Sequence, residues 1–285
     1  MLYLPITRPS LAQNLALEEA LLENAEAAAD EAAADEAAAD EAVLQSPGSQ
    51  PQPTSQSQST SQSKSARPTA VHEYLRTWEA STYAVVLGRS SSVRREVHME
   101  RCTAESIPML RRCSGGASVV IGPGCLMYAV MLDLRKRPEL RPIDAVHRFV
   151  MDRIRHACLA LDVPVVFQGT CDLTIDQRKF SGNSVRCKRN HTLYHGTLLY
   201  DFDLTRIPEL LKEPPRQPDY RAQRRHESFV TNLSHPQHRI TREQLCASLQ
   251  QAWDAFETVE LPPDEREIDL TESRYDCQAW TLKIA

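Results

Sequence analysis

The chain has 285 residues, 41% of them hydrophobic, and a net charge of −5. That length supports a full core in one large or two small domains, and no apolar run approaches the roughly 18 residues of a membrane span. The first residues, MLYLPITRPS, lack the order of a secretory signal, and the eight cysteines form no CxxC pair. Reduced thiols in a cytoplasmic protein are therefore expected, with no metal site.

The charge is unevenly spread. Residues 25–42 hold seven acids and no base, which leaves the remainder at about +2. Basic clusters fall at Arg94-Arg95, Arg111-Arg112, Arg186 to Arg189 and Arg221 to Arg225. They suit either a solvated surface or an anionic ligand or acidic partner. They are not interleaved with aromatics, which argues against nucleic acid.

In chain order, Leu2 to Ile6 suits a short strand. Ser10 is placed to cap a helix on which Leu11, Leu15 and Leu22 share one face. From Ala27 the unit AAADE occurs three times. Its residues favour helix, so the first helix can run on, but a five-residue period gives no lasting apolar face. Gln45 to Pro68 is Ser, Gln and Pro with little to bury, and disorder is expected there. Residues 25–69 thus resemble an insertion looping out of one domain.

Tyr74 to Trp78 and Tyr83 to Gly88 suit two strands, Val97 to Ser106 a helix, and Pro108 to Leu110 a strand. Then Arg111-Arg112-Cys113-Ser114-Gly115-Gly116-Ala117 leads into a strand at 118–121. A double glycine between strands forms a backbone nest for an anion or a carbonyl oxygen, although such pairs often mark only a tight turn. Leu126 to Leu132 suits a buried strand. Ile143 to Leu161 suits an amphipathic helix with Ile143, Val146, Val150, Ile154 and Ala157 inward. His147 and Met151 on it suit packing or surface.

Gly169 to Leu199 is the richest stretch. Leu173 to Ile175 suits a strand, Asp176-Gln177-Arg178 a polar turn, and His195 to Tyr200 a buried strand. Lys179 sits near the hairpin mouth, with the small residues Ser181, Gly182 and Ser184 behind it. It is well placed to present a cation to a phosphate or carboxylate. Thr205 to Leu211 suits a short helix. Thr241 is placed to cap another, reaching Phe256, with Leu245, Leu249, Trp253 and Phe256 inward.

Taken together, these motifs resemble the lipoate–protein ligase family, within the biotin/lipoate ligase superfamily. Asn14 to Glu19 resembles its first-helix signature and Val85-Val86-Leu87-Gly88-Arg89 its second-strand signature. Arg111 to Ala117 is similar to its RRxSGGG motif, Lys179 to Ser184 to its lysine motif, and His195 to Leu199 to the strand that follows. Val230-Thr231-Asn232-Leu233 is similar to its pocket-closing segment.

The resemblance implies an α+β fold like the class II aminoacyl-tRNA synthetase core, with a mixed, mostly antiparallel sheet packed with helices. It implies a single catalytic domain of residues 1–24 plus 70–262, interrupted by the 25–69 insertion and followed by a short tail at 263–285. It implies ATP with Mg, and lipoate or octanoate as the acyl substrate. The partners implied are lipoyl domains of 2-oxo-acid dehydrogenases and the glycine-cleavage H protein. Lys179 is the expected catalytic residue, stabilising negative charge between acyl carbonyl and α-phosphate. Arg112, Ser114, Gly115, Gly116, Ala117, Ser118, Val119 and Val120 are expected to bind nucleotide and acyl groups. Asp172, Gly182 and His195 are expected to shape the pocket.

Three departures from the family pattern bear on mechanism. Ala117 replaces the third glycine, with Ile121-Gly122 and Gly124-Cys125 replacing the usual His-Asp and Gly-Asn. The residues beyond 262 are too few for the family's accessory domain, so a separate subunit or a pre-activated acyl donor is expected. Cys171 stands where an asparagine is usual, which motivates an alternative: an ATP-independent octanoyl or lipoyl transferase working through a Cys171 thioester. A further alternative is a non-catalytic binder of lipoyl domains or metabolites.

Overall fold

The computed structural model describes residues 1–44, 72–235 and 237–284; the disorder expected over 45–68 lies outside them. The strands are β1 (Leu2–Leu4), β2 (Tyr74–Glu79), β3 (Ala84–Leu87), β4 (Met109–Arg111), β5 (Val119–Ile121), β6 (Cys125–Asp133), β7 (Val166–Gln168), β8 (Asp172–Ile175), β9 (Arg178–Cys187), β10 (His191–Leu199) and β11 (Glu257–Thr258). The helices are α1 (Leu11–Leu44), α2 (Val93–Glu96), α3 (Met99–Ala104), α4 (Ile143–Leu159), α5 (Arg206–Leu210), α6 (His226–Phe229), α7 (Arg242–Trp253), α8 (Glu265–Leu270) and α9 (Gln278–Thr281). Among the described residues no helix is long and apolar enough to cross a membrane.

Eight strands form one sheet in the order β11-β1-β2-β6-β10-β9-β8-β7, and a second sheet runs β4-β3-β5. The pairs β1–β11, β1–β2 and β3–β4 are parallel and the other ladders antiparallel, the mixed α+β architecture expected. Strands β6 and β10 are buried along their whole length, because both faces of the large sheet are covered. On one face α4 and α7 bury Val146, Val150, Ile154, Leu245 and Leu249 against Leu75, Tyr128 and Val130, each contributing about 1.5–3 kcal/mol. On the other, α1 and the small sheet join Leu15, Ala16 and Ala20 to Trp78, Val86 and Met127.

Local chemistry sets the helix ends. Ser10 Oγ accepts the Gln13 N–H at 3.1 Å while Gln13 Oε1 accepts the Ser10 N–H at 3.0 Å, and Thr241 and Gln244 repeat this reciprocal cap on α7. Two residues expected inward are not. Asp254 turns left-handed at φ 49° and ends α7, so Phe256 leaves the helical period and is exposed. Ile143 is the first residue of α4, ahead of the turns that meet the sheet, and is exposed too. The helix expected over 97–106 begins only at Met99, because Val97 is extended (φ −121°) between α2 and α3.

Helix α1 continues through the AAADE repeat, and its residues just past 24 belong to the packed domain. Ala25 and Ala29 are buried, and Glu26 accepts the Asn190 N–H at 2.9 Å and lies 3.0 Å from His191 Nδ1. The segment after 262 is likewise built in. Arg8 forms a two-pronged pair with Glu267 at 2.7 and 2.8 Å, and the Tyr275 hydroxyl donates to Glu19 at 2.7 Å. Leu270 and Tyr275 are buried in the core that holds α1.

Candidate active site

The lysine hairpin forms one wall of a cleft. Asp176 and Gln177, both left-handed at φ 50° and 59°, make the two-residue turn between β8 and β9. The register shifts between Leu173 and Thr174, so Asp172 pairs with Gly182. Lys179 Nζ lies 2.7 Å from Asp172 Oδ1, with its side chain 28% exposed. A Cβ on Gly182 would fall 2.9 Å from both Lys179 Cε and Nζ; the lysine therefore lies across bare backbone. Asp172 Oδ2 accepts the Tyr220 hydroxyl at 2.7 Å. Cys171, beside it, donates its thiol to the Asn183 carbonyl at 3.1 Å. Burial, with the Asp172 charge adding to it against Lys179, pushes this thiol up to about 11.

The glycine turn forms the opposite wall. Gly116 is left-handed at φ 85°, and its carbonyl packs against Gly88 so tightly that a Cβ there would lie 1.8 Å away. Arg112 is buried beneath the turn. Its guanidinium donates to the carbonyls of Gly115, Ala117 (3.0 Å) and Val86 (3.3 Å), and to Ser114 Oγ (3.1 Å). Burial holds its pKa down at about 10. Ser184 Oγ donates to the Gly115 carbonyl at 2.9 Å, which ties the turn to β9. Glu96 accepts both the backbone N–H and the hydroxyl of Ser118 at 2.8 Å. Behind the turn, Arg111 is fully buried. It donates to the carbonyls of Gly88 (2.7 Å), Ser91 (2.8 Å) and Thr281 (2.8 Å), so α9 braces the wall from outside.

A buried relay joins the walls. Ser114 Oγ is 2.5 Å from His195 Nε2, and His195 Nδ1 is 2.6 Å from Glu18 Oε2. The ionised Glu18 takes the Nδ1–H, so in the neutral ring Nε2 accepts the serine hydroxyl. Glu18 Oε1 accepts Arg76 Nη1 at 3.0 Å and Trp78 Nε1 at 2.9 Å. Burial pushes the Glu18 carboxyl up, but the His195, Arg76 and Trp78 donors outweigh it and hold it below the ordinary glutamate value.

Between the walls lies a cavity of about 290 Å³. Of the residues expected from sequence, Lys179, Asp172, Gly182, His195, Arg112, Gly116, Ala117, Ser118, Val119, Val120 and Cys171 line it. Ser114 and Gly115 stand behind, Ser114 buried. Arg112, expected to hold a phosphate, lines the cavity and also donates to the turn it supports. The Arg221 to Arg225 cluster differs from a free acidic-partner surface. Arg221 is buried, pairs with Glu213 and stacks on Phe229 at 4.5 Å; Arg224 donates to the Gln177 and Tyr220 carbonyls at 2.9 Å. Only Arg225 of the three arginines is exposed. Sequence reasoning missed Glu18, Glu96 and Tyr220. Glu18 sat inside a recognised signature, whereas nothing local marks the other two.

The α+β fold thus sets a lysine laid over bare strand opposite a glycine turn, and comparison with known proteins gives the family. Residues 56–254 match the lipoyl protein ligase A/B catalytic domain, and the chain belongs to that family. A probable lipoate-protein ligase A of Mycoplasma genitalium is 29% identical over 127 residues, 45% of this chain and 37% of that protein; the match thus spans little more than a third of the relative. The fold is similar to a chain described as a bi-partite lipoate protein ligase and its E2 lipoyl domain from Thermoplasma acidophilum. That likeness has a TM-score of 0.69 and 16% identity, covering 100% of this chain and 96% of that one. A lipoate-protein ligase A bound with ATP aligns with a TM-score of 0.59 and 16% identity, over 75% of this chain and 87% of that chain.

Proposed function

We propose that this chain is the catalytic domain of a lipoate–protein ligase, an enzyme that joins lipoate or octanoate to a lysine of an acceptor lipoyl domain through an acyl-adenylate. The observation that carries the reading is Lys179. Its partly exposed amine lies over Gly182 at a cavity whose apolar lining includes Leu15, Val86, Val120, Met127 and Phe229. In the first step a carboxylate oxygen of the acyl substrate attacks the α-phosphorus of ATP, and pyrophosphate leaves. In the second, the acceptor amine attacks the carbonyl carbon, AMP leaves, and the amide nitrogen gives up its proton. Neither step needs a protein nucleophile; both need positive charge where carboxylate and α-phosphate meet. Lys179 supplies it by exchanging Asp172 for the ligand oxygens, while the braced turn at 115–118 fixes the opposite wall.

Among the described residues no three of His, Cys, Asp or Glu form a metal site. The carboxylates lining the cavity, Glu18, Glu96 and Asp172, are each held by donors of the protein itself. They do not fit a resident metal, and magnesium belongs with the nucleotide as substrate. The acceptors are lipoyl domains of 2-oxo-acid dehydrogenases and the glycine-cleavage H protein. A separate accessory subunit fits the bi-partite description of the T. acidophilum relative. The thioester alternative is disfavoured, because the Cys171 thiol is held protonated and donates to a backbone carbonyl.

The test offers a lipoyl domain three donors in turn: lipoate with Mg-ATP, preformed lipoyl-adenylate, and octanoyl carrier protein. A lipoyl mass increment with the adenylate is expected, and its appearance with lipoate and Mg-ATP depends on any second subunit. Octanoyl transfer without ATP, abolished in Cys171→Ala, would move the assignment to the transferase.

A further inference from the structure

Asp172 holds two groups at once. Its Oδ1 faces the Lys179 amine at 2.7 Å and its Oδ2 takes the Tyr220 hydroxyl at 2.7 Å. Tyr220 arrives from the turn Asp219–Arg221, far from any motif, and its position is fixed on several sides. Its ring meets Phe229 at 5.4 Å between centroids, and Arg221 and Arg224 lie over the same Phe229 at 4.5 and 5.3 Å. Arg224 donates to the Tyr220 carbonyl and to Gln177 in the hairpin turn. The basic cluster thus serves to seat one tyrosine on the lysine hairpin. The phenol stays protonated, since burial and the Asp172 charge raise its pKa well above the ordinary tyrosine value.

We infer that Tyr220 is a positioning residue for Lys179, setting through Asp172 how firmly the amine is held and how readily it can be released to a ligand. The inference rests on the reading of Lys179 as the charge that meets the acyl and phosphate oxygens. When Lys179 turns to those oxygens it leaves a mostly buried carboxylate behind. A hydroxyl still donating to Oδ2 keeps that carboxylate from being left bare, which lowers the cost of the exchange. Without the hydroxyl, the negative charge concentrates on the lysine, the ammonium is held more tightly, and the first step slows. The other charged or titratable groups around this trio are Cys171, Arg112, Tyr194, Arg221 and Arg224, and the conservative variant leaves all five in place.

The experiment compares wild type with Tyr220→Phe, which keeps the ring and its contact with Phe229. The Lys179 amine is titrated by NMR with ¹³Cε-labelled lysine, assigned with Lys179→Arg, and pyrophosphate release is followed with lipoate and ATP. In Tyr220→Phe the Lys179 amine is expected to hold its proton to higher pH than in wild type. The kcat of the first step, read as pyrophosphate release, should fall by about tenfold. An unmoved or lowered midpoint overturns the inference, whether or not the melting temperature falls. If wild type forms no adenylate under any condition, the proposed reaction fails, and the lysine titration still decides for or against Tyr220.

Discussion

The two walls of the cleft handle positive charge in opposite ways. Under the glycine turn, Arg111 and Arg112 are buried, and their donors end on backbone carbonyls and, for Arg112, the Ser114 hydroxyl. On the hairpin, Lys179 keeps a partly exposed amine with one carboxylate partner and bare backbone beneath it. A guanidinium has five donors in a rigid fork and does not lose its proton, which suits it to building a turn; an ammonium on a flexible stem can change partners. The difference separates a wall whose shape is the product of its charges from one whose charge remains available for chemistry.

Substitutions that remove each charge should separate these roles. Lys179→Ala is expected to lower acyl transfer by about 10²–10³-fold with a smaller effect on melting temperature, because the lysine is partly exposed and Tyr220 still donates to the Asp172 carboxylate left behind. Equal losses of activity and stability would erase the contrast between the walls. Arg112→Met removes the guanidinium donors to the Val86, Gly115 and Ala117 carbonyls and should cost about 3 kcal/mol of folding free energy, seen as a lower urea midpoint. A stable Arg112→Met that had only lost nucleotide affinity would return Arg112 to the phosphate role expected from sequence.

Glu18→Gln sharpens the comparison through pH. The folded-state pKa of Glu18 lies below its ordinary value of 4.5. Its stabilising contribution is therefore complete above that pH and lost as pH falls through the lowered folded value. The variant should be less stable than wild type by about 1–3 kcal/mol at neutral pH, with the gap narrowing only below pH 4.5. A gap that stays constant down to acid unfolding would mean that Glu18 is not ionised in the relay. The smallest effect belongs to Cys171→Ala. Adenylate-dependent transfer should stay within about twofold of wild type, because the thiol is held protonated; abolished transfer would make the hairpin wall a nucleophile site.

What the sequence revealed follows the range of the interactions. The Lys179 hairpin was legible because turn chemistry and small residues lie within a dozen positions of the lysine. The Ser114–His195–Glu18 relay was not, since its links span 81 and 177 residues and no periodicity marks a partner across a sheet. Periodicity named the inner face of α4 from Val146 to Ala157 correctly. It failed at Phe256, where the left-handed Asp254 ends the helix. The C-terminal segment read as a tail because its apolar anchors, Leu270 and Tyr275, are sparse. Its attachment comes instead from polar contacts such as Arg8–Glu267 and Arg111 to the Thr281 carbonyl. The Arg221 to Arg225 cluster shows the same limit, since composition gives the charge but not whether it faces solvent.

The most direct measurement is single-turnover transfer from preformed lipoyl-adenylate to a lipoyl domain, read as acceptor mass, for wild type beside Lys179→Ala and Cys171→Ala. Transfer by wild type and Cys171→Ala at similar rates, with loss in Lys179→Ala, is the expected result. Transfer that survives without Lys179 but disappears without Cys171 would contradict the assignment of the cleft's chemistry to the lysine.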